Sequence, residues 1–545
     1  MKVKNLWAII MTVALAVGSL GGCGNSATSS MESSSQDGTD NVVSAESVSD
    51  EEKITLTYWI PMNSSLAQVE QSYDNTLYYQ ELQERLNIDI EFQHPPVGQE
   101  SEQFQLMIAS GELPDLIDVN WGSSYPGGAA KAIEDGIIIP LNDYMDQMPN
   151  YKESFESNEL NIKEGTTDAG DIYGFYTLQT GERSLKVMQA MMLRMDWLEE
   201  MNLELPETIE EWEIVLETFK QKEGVEYPLT MTFNDLKGSE NFNTAYKVGN
   251  SFYVDDEDRV QYGPSQEAYK EYLTTLNRWY ENGYLDPDFA SIDGAYVTSQ
   301  ILNGKAGVSY AWIGAGLGSW LDAATEEGFS MEGVANPVSE KGEEAFLAAS
   351  LNANLGATQT CVTTVAAEDE KKMEAITRLF DYVYSDEGLI LRTYGVEGET
   401  FEMVDGEPIY MDIITDNPDG LDMAQALAKY TQAAVSGPGY GMVEGYVDQY
   451  YQHDEQKNTM YRVNEANDIV EKHTYPAAQL STEEADEYAS IMAEVEPVKD
   501  EQMIAFITGV RPLDEFDDFV EELKALGIDR AVELKQATLD RFNSK

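Results

Sequence analysis

The sequence predicts an α/β protein, because short runs of alternating apolar residues are interleaved with longer helical patterns. Alternation from Ile54 to Ile60 predicts a strand, the segment 77–86 a helix, and alternation from Ile88 to Phe92 a second strand. The chain has 545 residues, of which 42% are hydrophobic. A chain of this length normally divides its core, so two lobes are expected.

A third helix–strand unit follows, and it ends at an amide and a large aromatic residue. A helix begins near Ser101 and ends at Gly111, and Pro114 precedes a predicted strand from Leu116 to Val119. Asn120 and Trp121 come directly after this strand.

The middle of the chain contains strongly amphipathic helices. Thr208 and Glu211 have the spacing of a capping box at the start of one of them. We interpret the aromatic stripes of these helices as core. The stripes are Trp212, Val215, Leu216 and Phe219; Tyr269, Tyr272, Leu273, Leu276, Trp279 and Tyr280; and Met373, Ile376, Leu379, Phe380 and Val383.

The N-terminus predicts a lipoprotein signal peptide over residues 1–22. A basic start is followed by an apolar run from Leu6 to Leu20 that is too short for an ordinary membrane span. The sequence Leu20-Gly-Gly-Cys23 resembles a bacterial lipobox, so Cys23 is the expected lipidation site and first residue of the mature protein. Residues 23–53 are rich in Ser, Thr, Asp and Glu, which predicts a disordered tether.

The charge composition excludes some classes of partner. The chain has 34 Lys and Arg against 99 Asp and Glu, for a formal net charge of −65. Such a surface repels phosphate backbones, so a nucleic-acid-binding function is not expected. Cys361 would be the only cysteine besides Cys23, and its apolar surroundings predict a buried thiol.

Several phrases along the chain, in this order, carry a family resemblance. They include "FQLMIASGELPDLI", "LRMDWLEEMNLELPETIEEW", "YKEYLTTLNRWYENGYLDPDF" and "FITGVRPLDEFDDFVEELKALGIDRAVELKQATLDRF". The sequence resembles the extracellular solute-binding proteins of bacterial ABC transporters, and most of all the large Gram-positive lipoproteins that serve oligosaccharide importers. The resemblance extends over residues 54–543.

The resemblance implies a two-lobe, periplasmic-binding-protein-like (type II) fold, with hinge strands between lobes that close on a ligand. Chain crossings are expected near residues 185–190, 311 and 360. The resulting division is 54–187 plus 312–358 for lobe 1, 188–311 plus 359–500 for lobe 2, and 501–545 for C-terminal helices packing on the lobes.

Sugar binding requires flat aromatic faces together with polar side chains for the hydroxyl groups, and such residues collect beyond the carboxyl ends of strands. Each candidate also has an alternative role in packing or in a contact between lobes. We expect Arg183, beside Glu182, near the first hinge, and Tyr440 to contribute a platform from the second lobe. The candidates are Trp59, Asn63, Asn120, Trp121, Arg183, Trp312 and Tyr440.

Metals and cofactors are not expected. Some members of the family carry a calcium loop after the helix that corresponds to 212–220, but "QKEGVEYPL" at this position is too short and lacks alternating oxygen ligands. Only three histidines are present, and they are scattered.

The leading interpretation is a non-enzymatic, monomeric receptor on the extracellular face of a Gram-positive membrane. It would hand a carbohydrate, with an oligosaccharide expected, to ABC permease subunits that work with a separate ATPase. A receptor for a peptide or another solute remains open, since fold does not determine ligand. A surface glycoside hydrolase is a third alternative, because 99 acidic residues allow a catalytic pair that no motif identifies.

Overall fold

A mixed sheet of six strands forms around the N-terminal strand–helix–strand segment. The computed structural model describes residues 53–545 apart from 180–186, 239, 349–354, 434, 436, 442, 467–471, 477 and 479. The strands of this part are β1 Ile54–Trp59, β2 Ile88–Gln93, β3 Leu116–Val119, β4 Phe175–Gln179, β5 Gln189–Arg194, β6 Phe252–Val254, β7 Val260–Tyr262, β8 Val308–Trp312, β9 Met331–Val334, β10 Leu355–Val362, β11 Phe401–Val404, β12 Glu407–Tyr410 and β13 Gly439–Gly441.

The six-stranded sheet has the order β13-β4-β10-β3-β1-β2. Strands β2 and β3 both run parallel to β1, whereas β10 is antiparallel to β3 and β4. The carboxyl ends of β1, β2 and β3 therefore lie at one edge, where ligands bind in open α/β sheets. A second sheet has the order β8-β5-β9, and β6–β7 and β11–β12 form separate antiparallel pairs.

Most of the helical content lies in long amphipathic helices. Those of eight or more residues are Leu77–Leu86, Glu100–Ser110, Pro149–Glu156, Ile209–Lys220, Glu267–Glu281, Gly294–Leu302, Glu370–Val383, Asp386–Thr393, Met423–Tyr430, Asp454–Ala466, Thr482–Ile507, Phe516–Ala525 and Ile528–Ser544. Shorter α-helices are Trp121–Ser124, Gly128–Glu134, Glu159–Gly165, Met195–Met201, Phe233–Gly238, Gly318–Ala323, Thr364–Ala367, Asp412–Thr415 and Glu444–Tyr450.

The structure confirms the predicted helix end at Gly111 but not the predicted capping box at Thr208. The helix Glu100–Ser110 ends at Gly111, which has a φ of 72° that suits glycine. The prediction of a capping box at the start of the helix Ile209–Lys220 is wrong, because the Thr208 side chain makes no cap hydrogen bond. The Glu211 side chain instead accepts a hydrogen bond from the backbone N–H of Glu207, at 3.0 Å.

Among the described residues, three large hydrophobic cores accompany the two main sheets, and the predicted stripes supply much of the first two, whereas the third contains residues between Val187 and Val463. The first core combines residues of the N-terminal 54–178 segment with residues between 355 and 391 and with Ala428 and Val435. The second combines residues 191–348 with residues 495–531 of the C-terminal helices. Cys361 is fully buried in the first core, and burial raises the pKa of its thiol.

The strand pairing differs from the predicted division of the chain. The prediction places 312–358 in lobe 1 and begins a lobe 2 segment at 359. In the structure β9 pairs with β5 of the second sheet, whereas the whole of β10 lies in the first sheet. The helix Glu370–Val383 also packs on the first core. The predicted lobe division stays a prediction, and these pairings favour a different division, because backbone hydrogen bonds between distant strands decide the sheet of each strand.

No helix in the described ranges combines the length and apolar character needed to cross a membrane.

Candidate functional site

A cavity of about 810 Å³ lies beyond the carboxyl end of β3. One wall is the segment from Asn120 to Gly128 that follows this strand, and the start of β10 adds Leu355 to Gln359. The opposite wall comes from C-terminal helices, through residues between Ala485 and Ala489 and through Lys535. The cavity therefore joins parts of the chain that are more than 350 residues apart in sequence.

Among the predicted site residues in the described ranges, Asn120 is the one that lines this cavity. Its side-chain oxygen accepts a hydrogen bond from the backbone N–H of Ser123, at 3.1 Å, and so caps the helix Trp121–Ser124. Within the described chain its side-chain N–H₂ group makes no hydrogen bond, so this donor remains available to a ligand. Ser123, Ser124 and Tyr125 line the same wall.

Gln359 on β10 fixes this wall to the sheet. Its side-chain oxygen accepts a hydrogen bond from the Trp121 backbone N–H at 3.3 Å. Its N–H₂ group donates to the backbone oxygens of Ala357 and Gly356, at 3.0 and 3.2 Å. Because all these partners are part of the fold, Gln359 positions the wall and its amide is already engaged.

The C-terminal wall supplies an aromatic ring and two charged groups. Tyr488 is half-buried, and burial raises the pKa of its phenol to about 12, so the hydroxyl stays neutral and can donate a hydrogen bond. Asp486 is exposed on the same helical turn, and Lys535 lies on the neighbouring helix. These three residues carry no local signal in the sequence, since their patterns fit the polar faces of ordinary helices.

Trp59 and Trp121 lie in the core of the first sheet. Trp121 has no exposed surface, and its ring makes an edge contact with Phe104 at a centroid distance of 5.7 Å. Trp59 is 6% exposed and contacts the same Phe104 ring at 6.0 Å. Both are packing residues in this structure rather than exposed platforms, so sugar stacking on either stays a prediction.

Trp312 has the exposure expected of a ligand platform. It is the last residue of β8, and 53% of its surface is accessible. It lies in the second sheet, opposite Gln189 of β5, and is not part of the cavity lining. Its contact with a ligand also stays a prediction.

Asn63 and Tyr440 both have structural partners. The Asn63 side-chain oxygen accepts from the backbone N–H groups of Ser65 and Leu66, at 2.9 and 3.2 Å. Tyr440 lies in β13, beside β4 of the first sheet, and its predicted role as a platform from the second lobe stays a prediction. Its hydroxyl is 2.5 Å from the Ser154 hydroxyl and donates to the Tyr384 backbone oxygen at 3.1 Å.

Two predicted features cannot be compared with the structure in the same way. Arg183 and Glu182 lie outside the described residues. Within the described part of the chain no group of three or more His, Cys, Asp or Glu side chains is arranged to hold a metal ion. The predicted absence of a calcium loop after Lys220 stays a prediction.

Comparison with known proteins decides the family. The model of the bacterial extracellular solute-binding protein family matches residues 69–389. The chain belongs to this family. The match spans more than half of the chain and includes β3, β10 and the wall that begins at Asn120.

Relatives of this solute-binding protein resemble it over most of their length. Lipoprotein LipO of Bacillus subtilis (strain 168) is 23% identical over 83% of this chain and 84% of its own. The fructooligosaccharide ABC transporter substrate-binding protein FusA of Streptococcus pneumoniae serotype 4 is 22% identical over 98% of both chains. A solved HMO-binding solute-binding protein from Bifidobacterium longum infantis has a TM-score of 0.71 at 18% identity, over 90% of this chain and 99% of its own. The structural likeness establishes the two-lobe α/β fold.

Proposed function

We propose that this solute-binding protein captures an extracellular carbohydrate, with an oligosaccharide as the expected ligand, and delivers it to the permease of an ABC importer. The observation that carries the proposal is the cavity wall after β3. It presents the side-chain N–H₂ group of Asn120 and the hydroxyl groups of Ser123 and Ser124, and the ring of Tyr488 lines the same cavity. Sugars require such polar groups for their hydroxyls and an aromatic face for their C–H groups.

The relatives support the carbohydrate class. FusA is named for fructooligosaccharides, and the Bifidobacterium protein is named as an HMO-binding protein associated with an ABC transporter. Sequence identities of 18–22% do not determine the ligand, so the identity of the sugar depends on the residues that line this cavity.

We further propose two lobes that follow the two main sheets. The first would contain residues 53–179 and 355–393 together with β13, and the second residues 187–348 and the remaining described residues of 394–545. A sugar that contacts both lobes favours the closed state over the open one, and the permease would recognise the closed shape. Lipidation at Cys23 would hold the protein on the extracellular face of the membrane.

The ligand class can be tested with the chain that begins at residue 23 and carries Cys23→Ser. Titration calorimetry with neutral and acidic oligosaccharides and with peptides of similar size should give saturable binding of at least one carbohydrate. Small-angle scattering should show a smaller radius of gyration with that sugar. Saturable binding of peptides without any carbohydrate would overturn the proposal.

We assign no catalytic role to the cavity. Glu164 and Asp486 are two carboxylates in its lining, so hydrolysis deserves a direct measurement. Incubation of the bound sugar with an equimolar amount of protein should return it unchanged in chromatography. Release of shorter sugars would instead establish the glycoside hydrolase alternative.

A further inference from the structure

Lys535 is a cation in the cavity wall that lacks a charged partner. It lies on the helix Ile528–Ser544, and its ammonium group is surrounded by three aromatic rings. The ammonium nitrogen is 4.4 Å from the ring centroid of Tyr475, 5.0 Å from that of Tyr488 and 6.0 Å from that of Phe252. Among the described residues it makes no hydrogen bond and no ion pair.

The other cations of this helix show how unusual this is. Arg530 donates to both carboxylate oxygens of Glu487, at 2.9 and 3.0 Å. Arg541 binds Glu484 in the same way, at 2.9 and 2.5 Å, and also contacts Asp168. In a protein with 99 acidic residues, carboxylates are available near most cations. None of the carboxylates in the described residues forms an ion pair with Lys535.

The surroundings of Lys535 make the charged form costly. Burial lowers the pKa of its ammonium group to about 8. The phenols of Tyr475 and Tyr488 lie beside it, and the described cavity lining also contains the carboxylates of Asp486 and Glu164 and the phenols of Tyr125, Tyr173 and Tyr176. Neither carboxylate lies within 4.0 Å of the ammonium nitrogen. A ligand anion at this position would supply the missing counter-charge.

We propose that Lys535 binds the carboxylate of an acidic carbohydrate, such as a uronic acid or a sialic acid residue. This inference rests on the proposed function, because it specifies the sugar that the same cavity takes. The aromatic rings around the ammonium group contact the apolar face of the sugar, and Asn120 and Ser123 on the other wall bind its neutral hydroxyls.

The charge of the cavity favours a carboxylate over a phosphate. A phosphate monoester carries nearly two negative charges at neutral pH, whereas a sugar carboxylate carries one. Among the described lining residues, the single ammonium of Lys535 is accompanied by the exposed carboxylate of Asp486. A second ligand charge would meet repulsion without a further cation among the described lining residues.

The affinity for the acidic sugar should depend on pH with a definite sign. Because an anion stabilises the protonated form, binding raises the pKa of Lys535 above its free value of about 8. Affinity is therefore full below about pH 8 and falls as the pH rises through it. Neutral sugars should show no such loss over the same range.

The test uses two matched pairs of probes in titration calorimetry. Trigalacturonate is compared with its fully methyl-esterified form, and 3′-sialyllactose with lactose, so the two sources of carboxylate are separated. We expect at least one acidic probe to bind about tenfold more tightly than its neutral partner. Lys535→Met should reduce this preference to about twofold or less, whereas Lys535→Arg should keep it and remove the loss near pH 8.

Lys524→Met is the matched control, because it removes the same charge from an exposed residue that pairs with Glu521 outside the cavity. It should leave the preference unchanged. Lys535→Met should fold normally, because replacing a desolvated ammonium by an apolar chain removes a cost, and its melting temperature checks this. Equal binding of acidic and neutral sugars, or an undiminished preference in Lys535→Met, would overturn the inference but not the proposed function. Failure of every carbohydrate to bind would overturn both.

Discussion

Trp121 is held by aromatic neighbours rather than presented to solvent. Phe104 of the helix Glu100–Ser110 covers one side of the indole, and Tyr125 lies at a ring-centroid distance of 6.1 Å on another. The polar neighbours of Trp121 face the cavity instead. A ligand at this wall would contact Asn120, Ser123 and Ser124, whereas Trp121 packs in the core of the first sheet.

Trp121→Ala should therefore mainly lower the free energy of unfolding and should affect ligand affinity less. Removing a fully buried tryptophan costs about 3–5 kcal/mol in the free energy of unfolding. Urea denaturation of the ligand-free protein measures the loss, and Trp121→Phe should lose clearly less. An unchanged unfolding midpoint in Trp121→Ala would show that the ring does not carry core packing.

Trp312→Ala should have the opposite effect. The residue is 53% exposed, so the free energy of unfolding should change by no more than about 0.5 kcal/mol. If the ring stacks on the ligand, affinity should fall about tenfold, because an aromatic platform contributes about 1 kcal/mol or more. Calorimetry with the bound sugar checks this, and Trp312→Phe should keep most of the affinity. Full affinity in Trp312→Ala would remove this residue from the site.

At the scale of elements, one ion pair fixes a helix to the first sheet. Asp115, next to β3, is 1% exposed and accepts from the ammonium group of Lys372, at 2.8 and 2.9 Å. Thr57 of β1 donates to the same carboxylate through its backbone N–H and its hydroxyl, at 2.8 and 2.9 Å. The helix Glu370–Val383, β1 and β3 thus meet at one buried charge.

Lys372→Met should destabilise the protein strongly, because it leaves the Asp115 carboxylate buried without its cation. The expected loss is about 3 kcal/mol in the free energy of unfolding. Lys371→Met is the matched control, since Lys371 is exposed on the same helix, and it should change stability by no more than about 0.5 kcal/mol. Equal unfolding midpoints for the two variants in urea would contradict the role of the Lys372–Asp115 ion pair in fixing this helix to the sheet.

At the scale of the whole molecule, the acid excess sets the electrostatic behaviour. The formal net charge is −65, and a large like charge destabilises a compact state through self-repulsion. Exposed ion pairs such as Lys53–Asp89 oppose this effect only weakly, because each contributes about 0–1 kcal/mol. The repulsion should therefore dominate the response to salt.

Raising NaCl from about 10 mM to about 200 mM should increase the melting temperature at pH 7 by about 2 °C or more, because the Debye length shortens about fourfold. At pH 4 the increment should shrink, since many carboxylates are then protonated. Differential scanning calorimetry measures both. A melting temperature that falls with salt at pH 7 would show that ion pairs outweigh the repulsion.

The sequence by itself determined the local elements of this protein and their order. The alternation in β1 and β2, the glycine stop at Gly111 and the stripe of Glu370–Val383 are local patterns, and a strand or helix must place its apolar side chains on one face. The phrases along the chain also carried the family, because they reflect those same elements in sequence.

Only the tertiary structure decided which strand-end residues are exposed and which segments share a cavity. Trp121 and Trp312 both follow or end a strand, yet one is covered by Phe104 and the other is not. Strand β10 joins β3, and Lys535 lines the same cavity as Asn120, although these residues are about 240 to more than 400 positions apart in sequence. Such contacts depend on how separate elements pack, and no local pattern contains that information.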